Sequence, residues 1–283
     1  MKHQEGKVTG PRGQQMYWQS WTTDDSVDRG QCRGAVIIVH GLAEHSNRYA
    51  HVASYLVENG YAVFALDHLG HGKSDGERCF VKTFADYIEP LHELVLRVKQ
   101  NYSGKPVHML GHSLGGLITN IYLLQHQNEL MSAVLSSPLV MIRGGASAMQ
   151  SLIMKCISFF SPQTGVFQLD AGQVCSDPKV VEEYINDPLV YSGKVTARLM
   201  TEIGAAMARV VQQAREITLP MLVVQGGKDV MVDPEGARFM HNNIGSSKKK
   251  LIFVDESFHE VLNEPKFQRR AMADIVEWLN STS

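Results

Sequence analysis

The sequence predicts an α/β fold built on a mostly parallel central sheet flanked by helices, and three observations carry that expectation. Short runs of uninterrupted apolar residues recur along the chain, stretches with helical spacing separate them, and the alternation breaks once, between positions 139 and 218. Continuous apolarity over four to six residues, rich in β-branched side chains and bounded by Gly, Asp, Ser or Pro, suits strands covered on both faces. Strand and helix in alternation suit crossover units, whose ligands gather at the carboxyl ends of the strands.

The strand runs fall at 35–39, 61–66, 107–110, 133–135, 221–224 and 251–254. The helical stretches are 47–58, 84–100, 114–125, 234–242 and 266–279. Residues 14–22, with Met16, Trp18 and Trp21, suit an antiparallel edge strand at the start of the sheet. The break holds Gly144-Gly145, an apolar patch over 152–160 and several Asp-Pro steps, with no clear buried strand. It reads as a helical cap, so residues 1–138 and 219–283 are expected to form the core and 139–218 the insertion. Lys248-Lys249-Lys250 reads as a solvated basic turn.

Composition narrows the function classes. The 283 residues, 44% hydrophobic and 20% charged, can bury a sizeable core. With 27 Lys and Arg against 29 Asp and Glu, the net charge of −2 lacks the basic footprint of a nucleic-acid binder. Cys32, Cys79, Cys156 and Cys175 lie far apart without a CxxC pair, so neither a zinc site nor a redox motif is expected. No dinucleotide fingerprint or metal-ligand cluster stands out, so no cofactor or metal is expected. The polar first residues and the absence of an 18-residue apolar stretch suggest a soluble, cytoplasmic protein.

The pattern Gly-x-Ser-x-Gly occurs twice, around Ser74 and around Ser113. A nucleophile elbow needs a buried strand leading into a sharp turn, small residues where backbone crowds, and a helix directly after. Gly111-His112-Ser113-Leu114-Gly115-Gly116 meets all three, following strand 107–110 and opening the helix that continues through Leu124. Ser74 stands seven residues past Asp67 with no helix start behind it, and reads as a loop residue shaping the rim.

A serine hydroxyl needs a base, and the base an orienting carboxylate. Of the histidines after Ser113, His126 and His241 sit at helix ends, while His259 falls in the loop after the last strand run. Asp229 follows strand 221–224 directly, Asp233 suits a helix cap before Pro234, and Asp255 is close to His259 in sequence. Acyl transfer also needs two rigid donors for an oxyanion. The N–H of Leu114, after the nucleophile, and that of Leu42, in His40-Gly41-Leu42 at the end of strand 35–39, are the candidates.

These residues and several others resemble the monoacylglycerol lipase and lysophospholipase group of the α/β-hydrolases. The likeness rests on His40-Gly41-Leu42-Ala43-Glu44-His45 with Arg48-Tyr49, Asp67-His68-Leu69-Gly70-His71-Gly72-Lys73-Ser74, the elbow at Ser113, Asn186-Asp187-Pro188-Leu189, and His259-Glu260-Val261-Leu262-Asn263-Glu264. It spans about Gly34 to Leu279. The resemblance implies Ser113, Asp229 and His259 as a triad, with Leu42 and Leu114 as oxyanion donors. It also implies that Glu44, Arg48 and Tyr184 organise the glycerol end of the pocket. Glu44 and Arg48, four apart at a helix start, equally suit a structural ion pair. Leu262 and Asn263 stand where mammalian members carry a second histidine, so lysophospholipids and simple esters stay open beside monoacylglycerols.

The expected function is hydrolysis of a lipid-like carboxylic ester through an acyl-enzyme. Lysophospholipase, carboxylesterase or thioesterase chemistry on the same residues is the alternative, and a non-catalytic hydrolase-fold binding protein the remote one. The patch at 152–160, which interleaves Lys155 and Ser158 with large apolar groups, suits either a cap helix packed on the core or peripheral membrane contact.

Overall fold

The structure, a computed structural model, describes residues 1–23, 32–145 and 147–283. The main sheet is built from β1 (Lys2–Thr9), β2 (Gln15–Thr22), β3 (Gly34–Val39), β4 (Tyr61–Leu66), β5 (Val107–His112), β6 (Ser132–Ser136), β9 (Met221–Gly226) and β10 (Lys249–Val254). Their spatial order is β1-β2-β4-β3-β5-β6-β9-β10. From β4 to β10 the pairing is parallel, while β2 meets β4 and β1 meets β2 antiparallel. Strands β3 to β6 and β9 are buried along their whole length. That burial on both faces is why their sequences read as unbroken apolar runs.

Helices cover both faces. On one side pack α1 (Ala50–Glu58), after a 3₁₀ turn at Ser46–Tyr49, and α8 (Gln268–Thr282). On the other lie α2 (Ala85–Asn101), α3 (Leu114–His126) and α7 (Glu235–Asn243). Two apolar cores result, one on each face.

Two details depart from the sequence reading. The strand at 14–22 is not the edge: β1 pairs outside it, from Lys2 opposite Thr22 to Val8 opposite Met16. Outside β2 a strand faces water, so Lys2 to Lys7 need no apolar pattern. Lys249 and Lys250 belong to β10 rather than to a turn. Among the described residues that strand pairs only with β9, and lysines on an outer strand discourage pairing with another chain.

Between β6 and β9 the chain leaves the sheet through α4 (Ala148–Phe160), β7 (Gly165–Phe167), α5 (Pro178–Asn186), β8 (Val195–Thr196) and α6 (Ala197–Gln213). The pair β7–β8 is a short antiparallel ribbon within a stretch expected to be helical. Helix α6 packs on α3, and α4 packs on α6 as the outermost layer. Ser147 and Gln150 form a reciprocal capping box that starts α4. Asp177 caps α5, whose first residue is Pro178. Among the described residues no helix is long and apolar enough to cross a membrane.

Candidate active site

Ser113 sits between β5 and α3 with φ 52° and ψ −118°, a strained conformation for a residue with a side chain. Its neighbours have no room for one. A Cβ at Gly111 would lie 2.3 Å from Thr119 Oγ1 and 2.4 Å from the Gly115 carbonyl oxygen. One at Gly115 would lie 2.0 Å from the Val39 carbonyl oxygen and 2.5 Å from that of His40. The end of β3 therefore rests directly on the first turn of α3, and Leu114, as the first residue of α3, has no helical carbonyl four positions back for its N–H to reach.

The loop after β3 brings Leu42 to the same place. Its turn is held from within: Gly41 N–H donates to Glu44 Oε1 at 2.5 Å, and Ala43 takes a positive φ of 64°. Three histidines brace it from behind. His40 Nδ1 donates to the Gly41 carbonyl, its Nε2 accepts from His68 N–H, and His68 Nε2 donates to the His40 carbonyl. Burial drives all three imidazoles down, His68 to about 3 and His71 to about 4, so the cluster is neutral.

His259, in the loop after β10, donates Nδ1–H to Asp229 Oδ2 at 2.7 Å. Asp229 is fully buried, and its carboxylate is satisfied on both oxygens. Oδ2 also accepts from Gln225 Nε2, and Oδ1 accepts from the backbone N–H groups of Met231 and Val232. Burial alone would raise the Asp229 carboxyl, yet His259 and these donors hold it below its ordinary range. Burial likewise opposes charge on His259, but Asp229 outweighs it and lifts the imidazole above its usual value, with Glu260 and Glu44 adding to the effect. His112, 4.8 Å away between ring centroids, is pushed by burial to about 4.

Ser113, His259, Leu42, Glu44, Tyr184 and Glu260 line one narrow cavity. Its apolar walls are Leu169, Val174 and Met231. At about 20 Å³ it has room for a water-sized group and for no acyl chain. Arg48 stands behind the carboxylates. It donates from Nη1 to Glu44 Oε2 at 2.6 Å, and from Nη1 and Nη2 to the two oxygens of Glu260 at 2.6 and 2.7 Å. Its guanidinium lies 4.5 Å from the Tyr184 ring centre. Glu44 also accepts from the Tyr49 hydroxyl at 2.7 Å. The ion pair and a place at the cavity wall thus coexist in Glu44.

The other sequence candidates lie elsewhere or serve differently. Asp233 accepts from Glu235 N–H as a turn of α7 begins, and Asp255 is exposed. Ser74 is buried rather than at the rim: its hydroxyl donates to the Asp67 carbonyl at 2.6 Å and accepts from Tyr17 N–H at 2.8 Å, joining β2 to the loop after β4. Glu260, Gln225 and His112 are neighbours that the sequence reading did not single out. Only Glu260, beside the loop histidine, offered a signal there.

Backbone and side-chain hydrogen bonds fasten residues 174–191 of the insertion to the loops of this site. Glu260 N–H donates to the Val174 carbonyl and Tyr191 N–H to the Ala43 carbonyl, both at 2.8 Å. His45 Nε2 meets Asp187 Oδ2 at 2.8 Å. Glu264 accepts from Ser176 N–H and hydroxyl and from Phe258 N–H, which places it between the insertion and the His259 loop.

Comparison with known proteins agrees with this architecture. A family model described as serine aminopeptidase, S33, matches residues 30–266. The chain is 34% identical to a monoacylglycerol lipase of Mycolicibacterium smegmatis over 280 residues, 98% of this chain and 97% of that one. It is 28% identical to the monoglyceride lipase of Rattus norvegicus over 270 residues, 95% of this chain and 88% of that one. Among solved structures, a monoacylglycerol lipase of Paleococcus ferrophilus superposes with a TM-score of 0.84 at 28% identity, covering 95% of this chain and 99% of the other.

Proposed function

The chain belongs to the serine aminopeptidase S33 family of α/β-hydrolases, and from that premise we propose that it cleaves monoacylglycerols to fatty acid and glycerol. It is a serine carboxylic ester hydrolase. The observation that carries the substrate-cleaving role is His259, bonded to buried Asp229, sharing a cavity with Ser113 on a strained turn.

In this reading His259 Nε2 takes the Ser113 proton as Oγ attacks the ester carbonyl, and the Leu42 and Leu114 N–H groups receive the oxyanion. His259 then gives the proton to the departing alcohol, and water repeats the two steps to release the fatty acid. Asp229 fixes the imidazole tautomer by holding Nδ1–H, which leaves Nε2 for the serine. His112 sits close, but burial keeps it uncharged near neutrality, so it does not oppose the imidazolium that forms. The mutual engagement of Glu44, Arg48 and Glu260 and the Tyr184 hydroxyl supply fixed polar groups for a polyol, while Leu169, Val174 and Met231 suit the acyl side.

Residues 139–218 act in this reading as a cap that must shift to admit a chain, because the closed cavity holds none. Its outer helix α4 presents Met149, Leu152 and Ile153, each more than half exposed, with Phe159 and Phe160 at 79% and 82%. A bare apolar face of this kind beside a lipid hydrolase suits reversible contact with a bilayer or micelle.

The test is to measure hydrolysis of 1-lauroylglycerol, lauroyl lysophosphatidylcholine and p-nitrophenyl esters of graded length, alongside labelling by a fluorophosphonate probe. Turnover is expected to be fastest on the monoacylglycerol. Ser113→Ala is expected to lose label and roughly 10⁴-fold or more of kcat with an unchanged melting curve. Full labelling of that variant, or indifference of the wild type to monoacylglycerol, would overturn the reading.

A further inference from the structure

The alcohol side of the cavity holds more carboxylate than cation. Glu44 and Glu260 both line it and are 2% and 4% exposed. Both lean on the single guanidinium of Arg48. The further donors they engage, Gly41 N–H, the Tyr49 hydroxyl and the Asn263 side-chain amide, carry no charge. A second cavity of about 340 Å³ shares the Tyr184 wall and adds Glu183 and Asp187. The histidines there are engaged as well, His45 with Asp187 and His51 with the Leu262 carbonyl. Among the described residues lining the two cavities, four carboxylates therefore face one arginine.

We propose that this imbalance selects the leaving alcohol by charge: uncharged polyols are accepted and anionic head groups, phosphate monoesters above all, are rejected, with Glu260 as the residue that sets the discrimination. The inference rests on the ester-hydrolase reading of the same site and specifies which alcohols it takes. A phosphate carried on the glycerol would sit beside carboxylates at a site that solvent screens only in part. Burial works against ionising Glu260, but Arg48 outweighs it and holds the carboxyl well below the usual range, so the charge is present at neutral pH. Glu44 is committed to the Gly41 turn, and its removal would disturb the oxyanion loop as well as the charge. Glu260 instead engages Arg48 and Asn263, and a glutamine there keeps the shape while removing one charge.

The experiment compares kcat/KM within two pairs of substrates that differ in charge on the alcohol side. One pair is 1-lauroylglycerol and its 3-phosphate, both below their aggregation concentrations. The other is phenyl acetate and 4-acetoxybenzenesulfonate. Glu260→Gln is expected to narrow the neutral-over-anionic preference about tenfold in both pairs, the effect of one like charge a few ångströms away in a partly screened site. Glu183→Lys, an exposed position on α5 where folding is not at issue, is expected to narrow it about threefold from a greater distance. A ratio unmoved by both substitutions overturns the proposal, as does a wild type that takes the anionic partner as readily as hydroxide does. If Glu260→Gln does not fold, the ratio measured with Glu183→Lys decides between these outcomes. If the wild type cleaves phenyl acetate and leaves 1-lauroylglycerol intact, the monoacylglycerol reading fails, and charge selection is still judged on the aryl pair.

Discussion

His259 illustrates how one residue's surroundings set the working range of the site. Asp229, Glu260 and Glu44 all favour its charged form, and together they lift it above the ordinary value of 6.5 against the pull of burial. In the proposed mechanism His259 must be neutral to accept the serine proton, so activity is expected above that raised value and is expected to fall as pH drops through it. The expected acid limb of kcat/KM against pH therefore lies above 6.5, and Glu260→Gln moves it toward lower pH because one favourable anion is gone. An acid limb below 6.5 in the wild type would contradict this mechanism. That Ser113 and His259 would line one cavity, with Asp229 bonded to the imidazole, was legible in the sequence because each follows a strand and they occur in the order Ser, Asp, His. Asp233 and Asp255 could not be set aside by spacing alone, since the distinction lies in which carboxylate the loops after β9 and β10 turn inward. The Glu44–Arg48–Glu260 network was legible only in part. Its third member comes from a loop more than 200 positions away, and no local period announces that encounter.

At the scale of single elements, the first turn of α3 is tightly constrained. Gly115 lies under the carbonyl oxygens of Val39 and His40, so even a methyl group must push β3 away from α3. Gly115→Ala is expected to cost about 3 kcal/mol or more through overpacking and to lower Tm by roughly 6 °C or more. It is also expected to reduce kcat, because the same shift moves Leu42 relative to Leu114. A thermal scan and a single-substrate assay check both. Elements buried on two faces, β3 to β6 and β9, were readable as apolar runs, and α2 and α3 followed from their spacing. The strand β1 escaped notice because five of its eight residues are exposed, none is buried, and it gains its place by pairing with β2. The ribbon β7–β8 escaped for a related reason: strands of two or three residues carry too few positions to show a period.

At the scale of the whole molecule, the two cores and the insertion divide the labour. The sheet and its helices carry Ser113, Asp229 and His259 on loops backed by the two cores, and α4 offers its apolar face to the outside. Replacing Phe159 and Phe160 together by serine is expected to reduce binding to phosphatidylcholine vesicles in a flotation assay by roughly tenfold or more, from the loss of two large exposed apolar groups. Turnover of a water-soluble acetate ester is expected to stay within about twofold, because neither phenylalanine lines the cavity. Equal flotation of both forms would exclude α4 as the membrane-contacting element.

The ties at Val174, Ser176, Asp187 and Tyr191 give the insertion two parts with different freedoms. One part is bolted to the machinery, and any drift in it would be felt at once by the imidazole loop and the turn at Gly41. The other, α4 resting on α6, is a tenant rather than a partner. A change in the length or apolarity of α4 therefore has no direct path to the loops around Ser113 and His259, whereas a change at Val174, Ser176, Asp187 or Tyr191 does.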